Sequence, residues 1–312
     1  MTKLASERGV ALMLVLWLVV VLAATAAVAV SAVRRQSEVV INLRARAEAR
    51  AAAESGVVVA VETIRSVFSA TRAFDDLPQV FPAVLDRLGR LGVQPLGDAR
   101  FQVSVVDLNS RIDLNHADAL TLATFLGSFV EEDEARALAD ALVDWRDPDR
   151  VPTARGAEAE AYLVSGSSFL PPNRSLRRIE ELPRVRGFTD SIANAIAPYV
   201  TVWGDGRLNV NTASERVLAA FPGIGTSAAS SLMERRGERG IGSIAALGDE
   251  LSQGGNVVPP LVGVPQRVLV VSRGWVEGHP LTHETQVVLQ LQGIAPGRAP
   301  DLFVMAWEER SR

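Results

Sequence analysis

Residues Val10–Val33, VALMLVLWLVVVLAATAAVAVSAV, carry no charged side chain and are apolar all round. A helix needs about 20 such residues to cross a hydrocarbon core of about 30 Å, so the run is long enough to span a membrane. The core helix of a soluble domain would show charges along one side, and none occur here. Lys3, Glu7 and Arg8 precede the run, and Arg34 and Arg35 end it. A cleavable secretory signal has an apolar region of about 7–15 residues followed by small residues. Here the small residue is Gly9, immediately before the run. The order predicts removal of a short charged leader, residues 1–9, and retention of the apolar helix over 10–33.

The helical pattern continues past the arginines. Glu38 to Phe68 contains no proline and a single glycine, Gly56, and is rich in Ala, Arg and Glu, all favourable in helices except the glycine. Apolar residues recur at Val39, Ile41, Leu43, Ala47, Ala51, Val57, Val61 and Ile64, predicting a stripe for a soluble domain along residues 34–70. One helix from Val10 to Phe68 would be roughly 85–90 Å long; two helices with a joint near Ser37 are the alternative. Pro78, Pro82 and Pro95 then break up a looser stretch. Phe101–Asp107 alternates as a strand does, and Arg267–Val276, Thr282–Gln292 and Leu302–Glu308 read as an antiparallel meander. Between them lies a region of short helices. The expected class is therefore α+β: a long helix on a sheet built from 71–109 and 256–312, with an all-α insertion over 110–255.

Composition narrows the chemistry. The net charge of −4 gives no general attraction to nucleic acid. The chain has no cysteine, so disulfides, thiol catalysis and thiolate metal sites are excluded. Its three histidines, His116, His279 and His283, are a thin supply for acid–base or zinc chemistry. No nucleophile–histidine–acid set or phosphate loop can be assembled, so the reading is that the protein is not an enzyme.

The insertion contains a repeat. Arg111-Ile112-Asp113-Leu114-Asn115-His116-Ala117 and Arg207-Leu208-Asn209-Val210-Asn211-Thr212-Ala213 share one pattern, each followed by a helix, with Asp118 and Ser214 as N-cap types. The second copy runs on through Phe221-Pro222-Gly223-Ile224-Gly225 into another helix, resembling a helix-hairpin-helix. Such hairpins can bind DNA through backbone N–H groups, which makes a membrane-anchored DNA-binding protein the second hypothesis. The basic cluster Arg235, Arg236 and Arg239 is interleaved with Glu234 and Glu238, which argues against it.

Asp144-Trp145-Arg146-Asp147-Pro148-Asp149 leads through prolines to Gly156-Ala157-Glu158. Asp147, Asp149 and Glu158 are hard oxygen donors in one loop and suit calcium, although the spacing is not that of an EF-hand. The competing reading is a solvated turn whose carboxylates pair with Arg146, Arg150 or Arg155.

Taken together, Arg8–Leu12, Arg111–Asn115, Asp144–Asp149 with Gly156–Glu158, Pro172–Arg177, Arg186–Thr189 and Asn209–Ser214 resemble the K-type minor pseudopilins of bacterial type II secretion systems. The resemblance implies a pilin-like fold whose inserted helical domain holds two related helix-hairpin-helix, SAM-like units. It implies cleavage by a prepilin peptidase after Gly9, with Val10 as the new and often methylated N-terminus. It places the chain in the bacterial inner membrane with a single pass and the bulk in the periplasm. A count of positive charges alone favours the opposite orientation, since Arg34, Arg35, Arg44, Arg46 and Arg50 outnumber Lys3 and Arg8. The fifth mature position is Leu14, where most pilin-like subunits carry Glu. This fits a tip position above I- and J-type partners, with no neighbour above needing that carboxylate. Further partners implied are the major pseudopilin and secreted cargo, and no nucleic acid. The resemblance also implies calcium at Asp147, Asp149 and Glu158, with Asp144 as a fourth candidate. Ala159 and Ala161 stand where the family often has acidic and aromatic residues, which puts one ligand of that set in question.

Overall fold

The computed structural model describes residues 3–237, 239–252 and 258–311. The expected domain boundary at 255/256 lies outside them. Helix α1 runs without interruption from Lys3 to Ala70, so no joint interrupts it at Ser37. The segment Leu12–Ser31 is long and apolar enough to cross a membrane, and no part of it is covered by the rest of the protein. Helix α2 (Val80–Leu91) follows, then β1 (Gln94–Leu96) and β2 (Ala99–Asp107).

The chain next enters the helical insertion. Its first unit contains β3 (Ile112–Asp113), α3 (Ala119–Leu126), α4 (Glu132–Arg146), α5 (Ala159–Val164), α6 (Asp190–Ile196) and β4 (Val200–Thr201). Its second contains β5 (Leu208–Asn209), α7 (Glu215–Ala220), α8 (Gly225–Arg236), α9 (Ile244–Ser252) and β6 (Leu261–Val262). Strands β7 (Arg267–Val276), β8 (Thr282–Gln292) and β9 (Asp301–Ser311) complete a five-stranded antiparallel sheet in the order β1-β2-β7-β8-β9.

The half of α1 beyond the apolar run packs on this sheet, and the contact corrects the expected stripe. Ala45, Ala49, Ala52, Ala53, Val57, Ala60, Ile64 and Phe68 are buried, whereas Val39, Ile41 and Leu43 are exposed. Ala47 and Ala51, also expected in the stripe, are exposed too. Small residues win because the helix lies close to the sheet. A Cβ on Gly274 of β7 would meet the Ala53 backbone nitrogen at 2.5 Å and clash with the Ala49 carbonyl, and Gly56 lies against Ser272. Below Ala53, Val57, Ala60, Ile64 and Phe68 join Val80, Phe81, Val84 and Leu88 of α2 and Val103, Val105, Val268, Val270, Val287 and Leu289 in one core. The insertion has a separate core around Leu122, Leu138, Leu142, Leu182, Leu208 and Leu218.

The two units are built on one hydrogen-bonding plan. Each opens with a two-residue strand paired in parallel with the strand that closes it, β3 with β4 and β5 with β6. Asn115 accepts the Leu176 N–H at 2.8 Å and donates to the Leu176 and Val202 carbonyls, each at 2.9 Å. Asn211 accepts the Ile241 N–H at 2.7 Å and donates to the carbonyls of Ile241 at 3.1 Å and Gly263 at 2.9 Å. Arg146, at the end of α4, donates to the Ala117 carbonyl, and Arg236, at the end of α8, to the Ala213 carbonyl. Asp118 and Ser214 cap α3 and α7 by accepting the N–H groups of Thr121 and Val217. The connection after the second helix differs in length: the sequence goes from Arg236 to Ile241 within a few residues in the second unit, whereas the first carries the whole acidic loop between Arg146 and Leu176.

A polar knot fixes the insertion to the sheet. Asp107, the last residue of β2, accepts from the Asn109 N–H at 2.8 Å, from the Asn209 amide at 2.8 Å and from the Thr212 hydroxyl. Asn109 accepts the N–H groups of Gln266 and Arg267 at 2.9 Å and donates to Asp205 at 2.7 Å. The points where the chain leaves and re-enters the sheet are thus tied together, and both to the second unit. Farther out, Arg178 pairs with Glu308 and Arg310 with Glu180 across the face of β9.

Candidate metal site and family

Helix α4 delivers the acidic loop. Its last turn buries Asp144 and Trp145, and Asp147 ends the helix with its N–H on the Val143 carbonyl at 3.0 Å. Asp147 is already extended (φ −75°, ψ 159°), so the chain turns out of the helix at that residue. Pro148 and Pro152 cannot continue a helix, and Asp149 accepts the Val151 N–H at 2.8 Å to close the next turn. The loop then doubles back on Asp144, whose two carboxylate oxygens accept the Thr153 N–H at 3.1 and 3.2 Å. Gly156 passes so close to that carboxylate that any Cβ would collide with it. Glu158 follows as the residue before α5.

This path brings together Asp147, Asp149 and Glu158, whose carboxylate oxygens lie within 4.8 Å of one another. Asp144 stands beside the triple and shapes the loop through Thr153 and Gly156; it is not one of the three. Burial pushes the Asp147 carboxyl above its ordinary range, with Asp149 and Asp144 adding to the rise and Arg146 opposing it. Burial also raises Glu158, followed by the charges of Asp144 and Asp147, while Asn173 opposes it. One oxygen of each, Asp147 Oδ1 and Glu158 Oε1, is buried without a hydrogen-bond partner. Buried carboxylate oxygens left unpaired are costly, and a hard cation among them would satisfy both. The donor set is all oxygen, which suits calcium or magnesium and not a thiophilic metal.

One contributor escaped the sequence reading. Asn173 has φ 48°, the one positive value at a non-glycine residue among those described, and its amide donates to the Asp149 carbonyl. Asparagine tolerates that conformation better than most residues, so Pro171-Pro172-Asn173 was the available signal. Tyr162 of α5 supports the loop: its ring packs at a tilt against Trp145, centroids 5.8 Å apart, and its hydroxyl accepts the Arg186 N–H at 2.8 Å. Of the residues expected at the other end of the chain, Leu14 is exposed in the uncovered part of α1. Gly9 and Val10 fall within α1, and their side chains lie outside the described set.

Comparison with known proteins places this architecture. Two family models, both described as type II secretion system protein K, match residues 100–205 and 208–265, which together are more than half of the chain. The first match takes in β2 and the first helical unit, the second the second unit. Type II secretion system protein K of Pseudomonas aeruginosa is 34% identical over 116 residues, 36% of this chain and 34% of that protein. The protein of the same name from Pectobacterium carotovorum is 30% identical over 152 residues, 46% of this chain and 45% of that protein. The matched part thus spans about a third to just under half the length of these curated relatives. A chain in the crystal structure of the GspK-GspI-GspJ complex from the enterotoxigenic Escherichia coli type 2 secretion system superposes with a TM-score of 0.62 at 17% identity, covering 89% of this chain and 98% of that one. That likeness shows a shared fold of mixed helix and sheet; the apolar segment of the N-terminal helix is a feature of this chain. This chain belongs to the type II secretion system protein K family.

Proposed function

We propose that the chain is a minor pseudopilin, a structural and not a catalytic subunit, that initiates or caps the type II secretion pseudopilus at its tip and so supports protein export across the outer membrane. The observation that carries this reading is the form of α1. One unbroken helix has an apolar segment, Leu12–Ser31, with nothing packed on it, and a second half seated on an antiparallel sheet. Such a helix can stand in the inner membrane, pass into a fibre of similar helices, and hold its globular part in the periplasm. A prepilin peptidase would cut after Gly9 and leave Val10 as the terminus. Leu14 in place of a carboxylate suits a subunit with no neighbour above it, since an unpaired charge in low-dielectric surroundings is expensive. The insertion, with its own core to one side of the pilin-like part, is too bulky for the shaft of a fibre and suits its end. I- and J-type minor pseudopilins would lie beneath, with the major pseudopilin below them and secreted cargo against the tip.

Within this reading the two helical units are helix-hairpin-helix, SAM-like scaffolds. DNA binding is not favoured, because two of the three arginines expected to form a basic face are occupied: Arg235 pairs with Glu250 at 2.9 Å and Arg236 donates to the Ala213 carbonyl at 2.7 Å. Calcium would be held by Asp147, Asp149 and Glu158, with Asp144 shaping the loop behind them. When bound it would neutralise the three carboxylates and lock the loop.

Co-expression with I- and J-type pseudopilins tests the assembly role. The three proteins should be recovered from detergent as one complex, and independent elution of this chain would contradict the proposal.

A further inference from the structure

The repeat places its two equivalent arginines on one cavity. Arg111 opens the first unit and Arg207 the second, and both line a space of about 460 Å³ between the units, together with His116 and the turn at Pro222 and Gly223. Among the described residues neither guanidinium forms an ion pair with a carboxylate: Arg111 donates to the Val200 carbonyl at 3.5 Å, and Arg207 to the Gln266 side chain. Burial holds the Arg111 pKa below its ordinary value, and the charge of Asp107 opposes that shift.

The carboxylates of the cavity are already committed. Asp113 accepts the N–H groups of Asn115 at 2.9 Å and Gly206 at 3.2 Å, and contacts His116 Nδ1 at 2.6 Å. Asp118 caps α3 through the Thr121 N–H at 2.7 Å. Behind them lies the buried cation Arg146, which both aspartates stabilise. Asp113 fixes the His116 ring through Nδ1, so Nε2 donates to an anionic occupant of the cavity when the ring is the imidazolium. Gly206 makes this possible: at φ +73° it packs on the His116 ring, where a Cβ would lie 3.3 Å from the histidine Cβ.

Two arginines and an oriented imidazole are the elements of an oxyanion site, and the backbone N–H groups on Asp113 and Asp118 soften the repulsion those two carboxylates would offer an anion. We propose that the cavity between the two helical units binds an oxyanion, a phosphate or carboxylate group, through Arg111, Arg207 and His116. The source could be free phosphate or the acidic side chain of a polypeptide, since the chemistry recognised is the same.

The full chain in detergent, titrated with sodium phosphate against sodium chloride at matched ionic strength, supplies the test. Phosphate should raise the thermal midpoint beyond chloride, and Arg207→Ala and His116→Ala, both at exposed positions, should each weaken the apparent affinity by about tenfold or more. Arg111→Lys keeps the charge but not the fork and should weaken it less than Arg207→Ala does. A glutamate-rich peptide forms the second arm. If it displaces phosphate, a polypeptide carboxylate can be the natural occupant; if it does not, the site is one for a free ion. The proposal is overturned if neither phosphate nor the peptide acts differently from chloride, or if both alanine variants respond as the parent does.

Discussion

Asp107 shows how one buried carboxylate makes the junction of sheet and insertion sensitive to pH. Burial pushes its pKa up to about 6, against the hydrogen bonds from Thr212, Asn109 and Asn209 that hold it down. In the unfolded chain the same group ionises near 3.8, so between about 4 and 6 the native state binds more protons than the unfolded state. The contribution of Asp107 to stability therefore falls as pH rises through that window, by about 3 kcal/mol in all. Denaturant melts at pH 4 and pH 7 check this: Asp107→Asn should gain about that much on the parent between the two, and a difference independent of pH would contradict it. At the acidic loop the shifts of Asp147 and Glu158 have the same sign. The calcium proposed there would bind the ionised forms, so its affinity should fall as pH drops, and at a higher pH than ordinary carboxylates would give. Calorimetry should show Glu158→Gln about tenfold or more weaker for calcium, with no change counting against that ligand. That Asp147, Asp149 and Glu158 come together was legible in the sequence because they crowd into one proline-stiffened loop. The part of Asn173 was not, because it depends on a backbone angle and on a partner far along the chain.

Elements follow the sequence closely where periodicity alone decides them. Strands β7 and β8 have the bounds their alternation predicts, and the expected strand at Phe101 begins two residues earlier. The face that α1 turns to the sheet was legible only in part: Val57 and Ile64 are buried as the stripe predicts, whereas the same pattern also pointed to Val39, Ile41 and Leu43. These lie before the part of the helix that the sheet covers. Ahead of Val57 the contact is made by alanines and by Gly56 against Ser272, a choice set by how closely backbones approach and not by hydrophobicity. Glycines separate the two effects experimentally. Gly274→Val drives a side chain into the α1 backbone and should cost about 3 kcal/mol or more in denaturant melts. Gly89 of α2 has open space around its Cβ position, so Gly89→Ala should add about 0.5–1 kcal/mol. If Gly274→Val were neutral, the close packing of helix and sheet would be wrong.

At the scale of the whole molecule, the chain is a membrane-length helix, a sheet seated on its second half, and a duplicated helical insertion. The first two could be assembled from hydropathy and alternation in order along the chain. The side-by-side geometry of the two units could not, because it depends on strand pairs only two residues long and on asparagine clamps that close over long stretches of chain. The acidic loop is what the first unit has and the second lacks, which sets it apart from the shared scaffold and makes it the natural place for a ligand. The central claim is that this helix belongs to a pseudopilin, and pseudopilins reach the fibre through a prepilin peptidase. The most direct test is the N-terminal sequence and mass of the protein recovered from membranes with and without a co-expressed prepilin peptidase. A chain that starts at Val10 only when the peptidase is present, especially with a methylated terminus, is the predicted result. An N-terminus unchanged by an active peptidase would contradict the account.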